Sequence, residues 1–226
     1  HVLPPYWWRY GAGESPDAFG RRAADALEER IVALGPERVA AFFAEPLQGA
    51  GGVIVPPPSY WPRVQEICRR HDVLLVADEV ITGFGRTGHW WGCETFGIEK
   101  PDFVTLAKAL TSGAIPLSAV LVGERVARRL EEGGMLAHGY TYSGHPVACA
   151  VALENLRILR TEGWVERVAE KTAPHFQRRL REAFAGPPLV GEVRVSGLIA
   201  AVELSPDAGA RARFAPEGSF GASVLR

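Results

Sequence analysis

Val73-Leu74-Leu75-Val76-Ala77-Asp78-Glu79 is the stretch that decides how this chain reads. Its five apolar residues do not alternate with polar ones and are too few for a helix, the signature of a strand buried on both faces, as in a parallel sheet. Before it, residues 59–71 set Trp61, Val64, Ile67 and Cys68 at helical spacing with Arg63, Arg69 and Arg70 outside. Further upstream, Ser15-Pro16-Asp17 has the composition of a helix start, and Phe19, Ala23, Leu27, Ile31 and Leu34 recur until Gly35-Pro36 stops the run. A buried-strand signature follows at 39–44, and further strands are expected at 103–107 and 117–122. Alternating helices and strands predict an α/β domain with a mostly parallel sheet.

Downstream, Pro146 opens a helical pattern through Val147, Val151, Leu156 and Leu159. After Gly163 it resumes through Trp164, Val168, Phe176, Leu180 and Phe184, and Gly186-Pro187-Pro188 breaks it. Residues 193–204 predict one strand, Ser205 onward a polar connection, and 222–226 the first turn of another helix. A domain change is expected near residue 160, dividing the chain into 1–160 and 161–226.

Composition narrows the function. With 25 Lys+Arg against 26 Asp+Glu among 226 residues, the net charge is −1 and no basic stripe is present, which argues against nucleic acid or an anionic lipid surface as partner. The charge-free run 109–123 is broken by Gly113 and Pro116 and is too short to span a bilayer, so no membrane span is expected. Residues 1–10 lack an export signal's basic head and apolar run. Cys68, Cys93 and Cys149 make neither a disulfide framework nor a C-x-x-C pair, which fits a reducing, cytoplasmic setting. The six histidines form no ligand cluster, so no metal is expected.

Chemistry gathers where strands end. Glu45, Asp78 and Lys108 each follow a predicted strand, and in open α/β sheets ligands bind outside the carboxyl ends of the strands. The chain has only three lysines. Lys100 lies in the turn Glu99-Lys100-Pro101-Asp102 and Lys171 on the polar face of a helix. Lys108 differs: an amine buried at the end of an apolar strand must be paired or neutral, and a neutral amine is a ready nucleophile. On position alone, the favoured reading is that Lys108 begins a solvated helix and Asp78 caps a turn. Gly83-Phe84-Gly85-Arg86-Thr87-Gly88 matches the dinucleotide pattern G-x-G-x-x-G, yet it does not join a strand directly to a helix, and His89-Trp90-Trp91-Gly92 is not a helix start. Residues 73–79 also look like the acidic strand of a nucleotide triphosphatase. No phosphate loop G-x-x-x-x-G-K-[ST] accompanies it, which leaves a truncated ATPase as the alternative from another class.

Four blocks together resemble the class III pyridoxal-phosphate-dependent aminotransferases: Glu45-Pro46-Leu47-Gln48-Gly49; Asp78-Glu79-Val80-Ile81-Thr82-Gly83-Phe84-Gly85-Arg86-Thr87-Gly88; Thr105-Leu106-Ala107-Lys108-Ala109-Leu110; and His138-Gly139-Tyr140-Thr141-Tyr142-Ser143-Gly144-His145-Pro146. They occur in the family's order, and the resemblance runs from about Pro4 to at least Leu204. It implies fold type I, with a large cofactor-binding domain and the start of a small C-terminal domain. The implied activity is transfer of an amino group from an ω-amino acid or amine donor to a keto acid such as pyruvate. Lys108 would hold pyridoxal 5′-phosphate as an internal aldimine and then carry the substrate proton. Asp78 would pair with the ring nitrogen, Val80 pack on the ring, and Glu45 and Gln48 lie beside the substrate and the ring hydroxyl edge. Thr141 would reach the cofactor phosphate of a neighbouring subunit, implying a homodimer with shared active sites, and Ala50 would line the substrate pocket.

Departures are visible too. Ornithine-type members carry glutamine where this chain has Ile81, which leans toward ω-amino acid or amine donors, as do Pro5-Tyr6-Trp7 and Tyr60-Trp61-Pro62. The family's phosphate loop, second ring-stacking aromatic and C-terminal carboxylate-binding arginine have no counterpart. The chain is therefore expected either to be a partial record of a longer protein or to bind cofactor poorly, exposing apolar sheet surface and leaning on a partner.

Overall fold

The computed structural model describes residues 1–215; the helix start expected at 222–226 lies outside them. A short turn α1 (Trp7–Tyr10) precedes α2 (Pro16–Leu34), whose N-cap Ser15 accepts the Ala18 N–H at 3.2 Å. The chain then alternates β1 (Ala41–Ala44), α3 (Tyr60–Arg70), β2 (Leu74–Asp78), α4 (Gly92–Phe96), β3 (Phe103–Leu106), β4 (Ala119–Val122) and α5 (Glu124–Glu132). The strands lie in the order β1-β2-β3-β4, parallel from β1 to β3 and antiparallel at β4. A mostly parallel α/β sheet is what the sequence predicts. Strand β1 begins two residues later than expected, because Val39 closes a 3-10 turn over Pro36–Arg38.

Helices α2 and α3 cover one face of the sheet. Phe19, Ala23, Leu27 and Ile31 meet Trp61, Val64, Ile67 and Cys68 over Leu75 and Ala77, all buried in one cluster. The helical spacing read from the sequence is thus the stripe that closes the core. On the outer side, Arg63 bridges the two helices, reaching Asp25 at 2.7 Å and Glu28 at 3.0 Å. The other face and the edges are poorly covered: Phe43 is 57% and Val120 56% exposed, the apolar sheet surface the sequence leads one to expect.

The C-terminal part departs from expectation in two places. Helix α6 (Pro146–Thr161) is followed by α7 (Trp164–Arg167), a π-helical turn over Val168–Thr172, and α8 (Ala173–Ala183) instead of one continuous helix. Pro174 has no N–H to donate to the preceding turn, and the widened turn ends two residues before it. The single strand predicted at 193–204 is a hairpin, β5 (Val190–Ser196) and β6 (Ile199–Leu204). Alternation continues through its turn, so the pattern alone does not reveal the reversal. Gly197 makes that turn at φ +56, where an added Cβ would lie 2.4 Å from the Arg86 carbonyl oxygen. No helix among the described residues is long and apolar enough to cross a membrane.

Cys68 and Cys93 are buried and free, while Cys149 is partly exposed. Burial pushes the Cys68 thiol up from 9.0 to about 11. The fold therefore favours the protonated thiol, and this contribution to stability is lost as pH rises from about 9 toward 11. At pH 8 a thiol reagent should label Cys149 in the folded chain, with Cys68 and Cys93 reacting only after denaturation. Labelling of Cys68 as fast as Cys149 would contradict this packing.

Candidate active site

Register puts the acidic and basic groups of interest at one edge of the sheet. Ala44 pairs with Ala77 and Asp78 with Thr105, so Asp78 ends β2 while Glu45 and Lys108 follow the carboxyl ends of its parallel neighbours. The backbone N–H of Glu79 donates to the Thr105 carbonyl at 3.0 Å, extending the ladder one step past β2.

Asp78 is half-buried. Its Oδ1 accepts the Val80 N–H at 3.0 Å, and its second carboxylate oxygen has no hydrogen bond among the described residues. Thr105, in register with Asp78 and so on the same face, carries a buried hydroxyl with no partner among them. Lys108 departs from the expectation of a buried amine: it is exposed, and its amine has no ion pair or hydrogen bond among the described residues. Its φ of +43 lies in the left-handed region, which costs a non-glycine residue roughly 1–2 kcal/mol. The surroundings hold it there. Lys108 opens a 3-10 turn whose Ala109 and Leu110 carbonyls accept from Asn155 Nδ2 of α6 at 2.9 and 3.1 Å. Ser112 Oγ donates to Asn155 Oδ1 at 2.8 Å, completing the brace.

The groups are distributed over two cavities. One, of about 270 Å³, is lined by Glu45, Gln48, Asp78, Tyr60 and Phe43 together with the N-terminal residues. The other is an open cleft of about 850 Å³ lined by Lys108, Thr111, Pro116, Tyr140, Tyr142 and Ser143, among others. Asp78 and Lys108 therefore share a sheet edge without lining the same cavity. Thr141 is exposed between two residues that line the Lys108 cleft, Val80 is half-buried beside Asp78, and Ala50 is exposed at a turn and lines neither cavity.

Two supports escaped the sequence reading. Glu79, fully buried, accepts the N–H groups of Gly92 (2.8 Å) and Cys93 (2.7 Å) and the Thr82 hydroxyl. It thereby ties the segment after Asp78 to the start of α4. That helix begins at Gly92 with Trp91 as N-cap, whose N–H donates to Glu94, so a helix start does follow the glycine-rich loop. Even so, residues 79–82 separate that loop from β2, and the dinucleotide geometry is absent. Along a strand, Glu79 reads only as the neighbour of Asp78; nothing local identifies its partners 13 and 14 residues away. The second support is Arg194, buried on β5.

Fold and site define an α/β protein with an unpaired lysine and a carboxylate at the carboxyl edge of a parallel sheet. A family model described as aminotransferase class-III matches residues 12–219, and the chain belongs to that family. It is 53% identical over 218 residues to a putrescine–pyruvate aminotransferase of Pseudomonas aeruginosa, covering 96% of this chain and 47% of that protein. It is 46% identical to a diaminobutyrate–2-oxoglutarate transaminase of Halomonas elongata, covering 98% and 48%. Among solved structures, a thermostable (S)-enantioselective ω-transaminase from Thermomicrobium roseum superposes with a TM-score of 0.90 at 45% identity, covering 98% of this chain and 49% of that one. The chain thus spans about half the length of the relatives it matches. Class-III aminotransferases are pyridoxal-phosphate-dependent enzymes, and the resemblance read from the sequence is to this family.

Glu79→Gln would set a side-chain NH₂ against backbone N–H donors. It should lower the unfolding free energy by about 1.5–3 kcal/mol, measured as a lower urea midpoint at unchanged slope. A wild-type midpoint would show that the buried carboxylate does not hold this segment.

Proposed function

We propose that this chain is the coenzyme-binding part of a pyridoxal-phosphate-dependent transaminase that moves an amino group from an ω-amino acid or amine to a keto acid such as pyruvate. In this reading residues 1–160 are part of the large domain, and 161–226 are the connecting helix and part of the small one. The observation that carries it is the placement at the sheet edge: an unpaired lysine held in a left-handed conformation, and a carboxylate with one oxygen free, at the carboxyl ends of adjacent parallel strands. The donor set fits the coenzyme. Asp78 Oδ2 can accept a proton-bearing ring nitrogen, the Thr105 hydroxyl lacks a partner on the same face, and the Lys108 amine is free to react.

When bound, pyridoxal phosphate supplies an electron sink for the bond broken at the substrate carbon. The remaining work belongs to the chain. Lys108 would hold the coenzyme covalently and, once displaced by the substrate amine, carry a proton at Nζ. Asp78 would keep the ring nitrogen protonated; a carboxylate beside a cation is worth roughly 1.4–4 kcal/mol of bias. Val80, adjacent to the Asp78 turn, would pack on the ring, and Glu45 and Gln48 would border its hydroxyl edge. Gly49 N–H already fixes Glu45 Oε2 at 2.8 Å. Ala50 would lie toward the substrate.

Donor and acceptor classes draw support from the Pseudomonas relative, a putrescine–pyruvate aminotransferase. Tyr60 in the Asp78 cavity supports an apolar donor stem. A homodimer in which Thr141 reaches the neighbouring subunit's coenzyme is supported by the exposure of its loop, with Tyr140 77% and Tyr142 80% accessible. The three free thiols support a cytoplasmic setting.

Reductive trapping with borohydride after addition of pyridoxal phosphate, followed by peptide mapping, tests the assignment. The label should fall on Lys108, and Lys108→Ala should abolish it; a label on Lys100 or Lys171 would refute the reading. Asp78→Asn should preserve trapping while slowing transamination about 10²–10⁴-fold in a protein that turns over. A chain that stays colourless and unlabelled is a folding or interface module instead.

A further inference from the structure

Arg194, on β5, is 7% exposed and far in sequence from Glu45, Asp78 and Lys108. Its side chain reaches out of the C-terminal hairpin into the turn that carries Gln48 and Ala50. Nε donates to the carbonyls of Gly52 (3.0 Å) and Val53 (3.2 Å), and Nη2 donates again to Gly52 at 2.8 Å. The remaining donors are satisfied by Glu203 at 2.9 Å, Glu192 at 2.6 Å and the Tyr6 hydroxyl at 2.6 Å. Tyr6 in turn donates to Glu203, and its ring lies 4.6 Å beneath the guanidinium carbon. The planar fork thus joins the N-terminal segment, the hairpin and the turn in one buried knot.

The turn needs such a hold. Val53 sits at φ +50, a conformation that a β-branched side chain disfavours, and Arg194 binds the carbonyls of Val53 and of the residue before it. The reversal is closed by the Gln48–Ile54 bridge, with Ile54 N–H donating to Gln48 at 2.9 Å and Gln48 N–H to Ile54 at 3.2 Å. Glu45 and Gln48, at the root of this turn, form one wall of the Asp78 cavity.

We infer that Arg194 is a positioning residue: by holding Gly52 and Val53 it sets the 45–54 turn, and through it the Glu45–Gln48 wall against which the coenzyme seats. The coenzyme clause rests on the function proposed above; the hold on the turn does not. Hydrogen exchange of the full 226-residue chain, read by peptide, separates the two. In Arg194→Met, amides of 45–54 should exchange about tenfold faster or more, while the peptides of α3 and β2 stay within about twofold of wild type. Titration with pyridoxal phosphate should show affinity weakened about five- to tenfold with a displaced absorption maximum. Arg194→Lys, a point charge without the fork, should not restore either.

Unchanged exchange at 45–54, or a rise spread evenly over the chain, would overturn the hold on the turn. Localised loosening with wild-type coenzyme affinity and spectrum would overturn the positioning role. If Arg194→Met does not fold, Glu203→Gln, which keeps an acceptor, is judged by the same criteria at smaller amplitude. A wild-type chain that takes up no pyridoxal phosphate would overturn the proposed function, and the exchange pattern would still decide whether Arg194 holds the turn.

Discussion

The hydrogen bond from the Glu79 N–H to the Thr105 carbonyl, 3.0 Å long, is the last rung between β2 and β3, and the geometry of the candidate site follows from it. A shift of that pairing by one residue would turn Asp78 to the opposite face of the sheet and carry its carboxylate into the helix-covered core. With the observed register, Asp78 and Thr105 share a face, and Lys108 follows three residues after Thr105, just beyond the end of β3. The buried carboxylate of Glu79 makes this rung durable, because its oxygens take up two N–H groups of α4 and the Thr82 hydroxyl. A residue beside the candidate acid, with no assigned chemistry, therefore helps hold the segment that carries it.

Around that edge, the supports come from distant parts of the chain. Asn155 of α6 braces the turn that begins with Lys108, Arg194 of β5 holds the turn that follows β1, and the Leu198 N–H at the hairpin tip donates to Arg86 at 2.9 Å. Lys108 and Val53 both occupy left-handed conformations, and each lies where such a brace is applied. Local strain compensated by long-range hydrogen bonds is the expected economy of a site that must hold groups in unfavourable poses.

Much of this was legible in the sequence for identifiable reasons. Helices α2 and α3 bury one stripe each, so Phe19 to Ile31 and Trp61 to Cys68 carry the period of the fold in their order. The uninterrupted run ending at Asp78 reflects a central strand with a neighbour on each side. What could not be read depended on partners remote in sequence or on chain reversal. Alternation across 193–204 is the same whether the chain runs straight or turns at Gly197. Helix α5 buries no residue, and its apolar stripe is a brief one, Val126, Ala127 and Leu130 among charges, too short to stand out. The exposure of Lys108 was missed because burial was inferred from the apolar strand before it, whereas the left-handed φ at Lys108 itself turns the chain out toward Tyr140 and Tyr142. Arg194 is one arginine among many until Gly52 and Val53, about 140 residues earlier, are found against it.

The central claim is that the carboxylate of Asp78 and the amine of Lys108 serve one coenzyme, although they border separate cavities. A crystal structure determined with pyridoxal phosphate bound tests it most directly. The account predicts continuous density from Lys108 Nζ to the coenzyme, with the ring nitrogen within hydrogen-bonding distance of Asp78. A ring confined to the cleft beside Tyr140 and Tyr142, its nitrogen facing solvent, would contradict it.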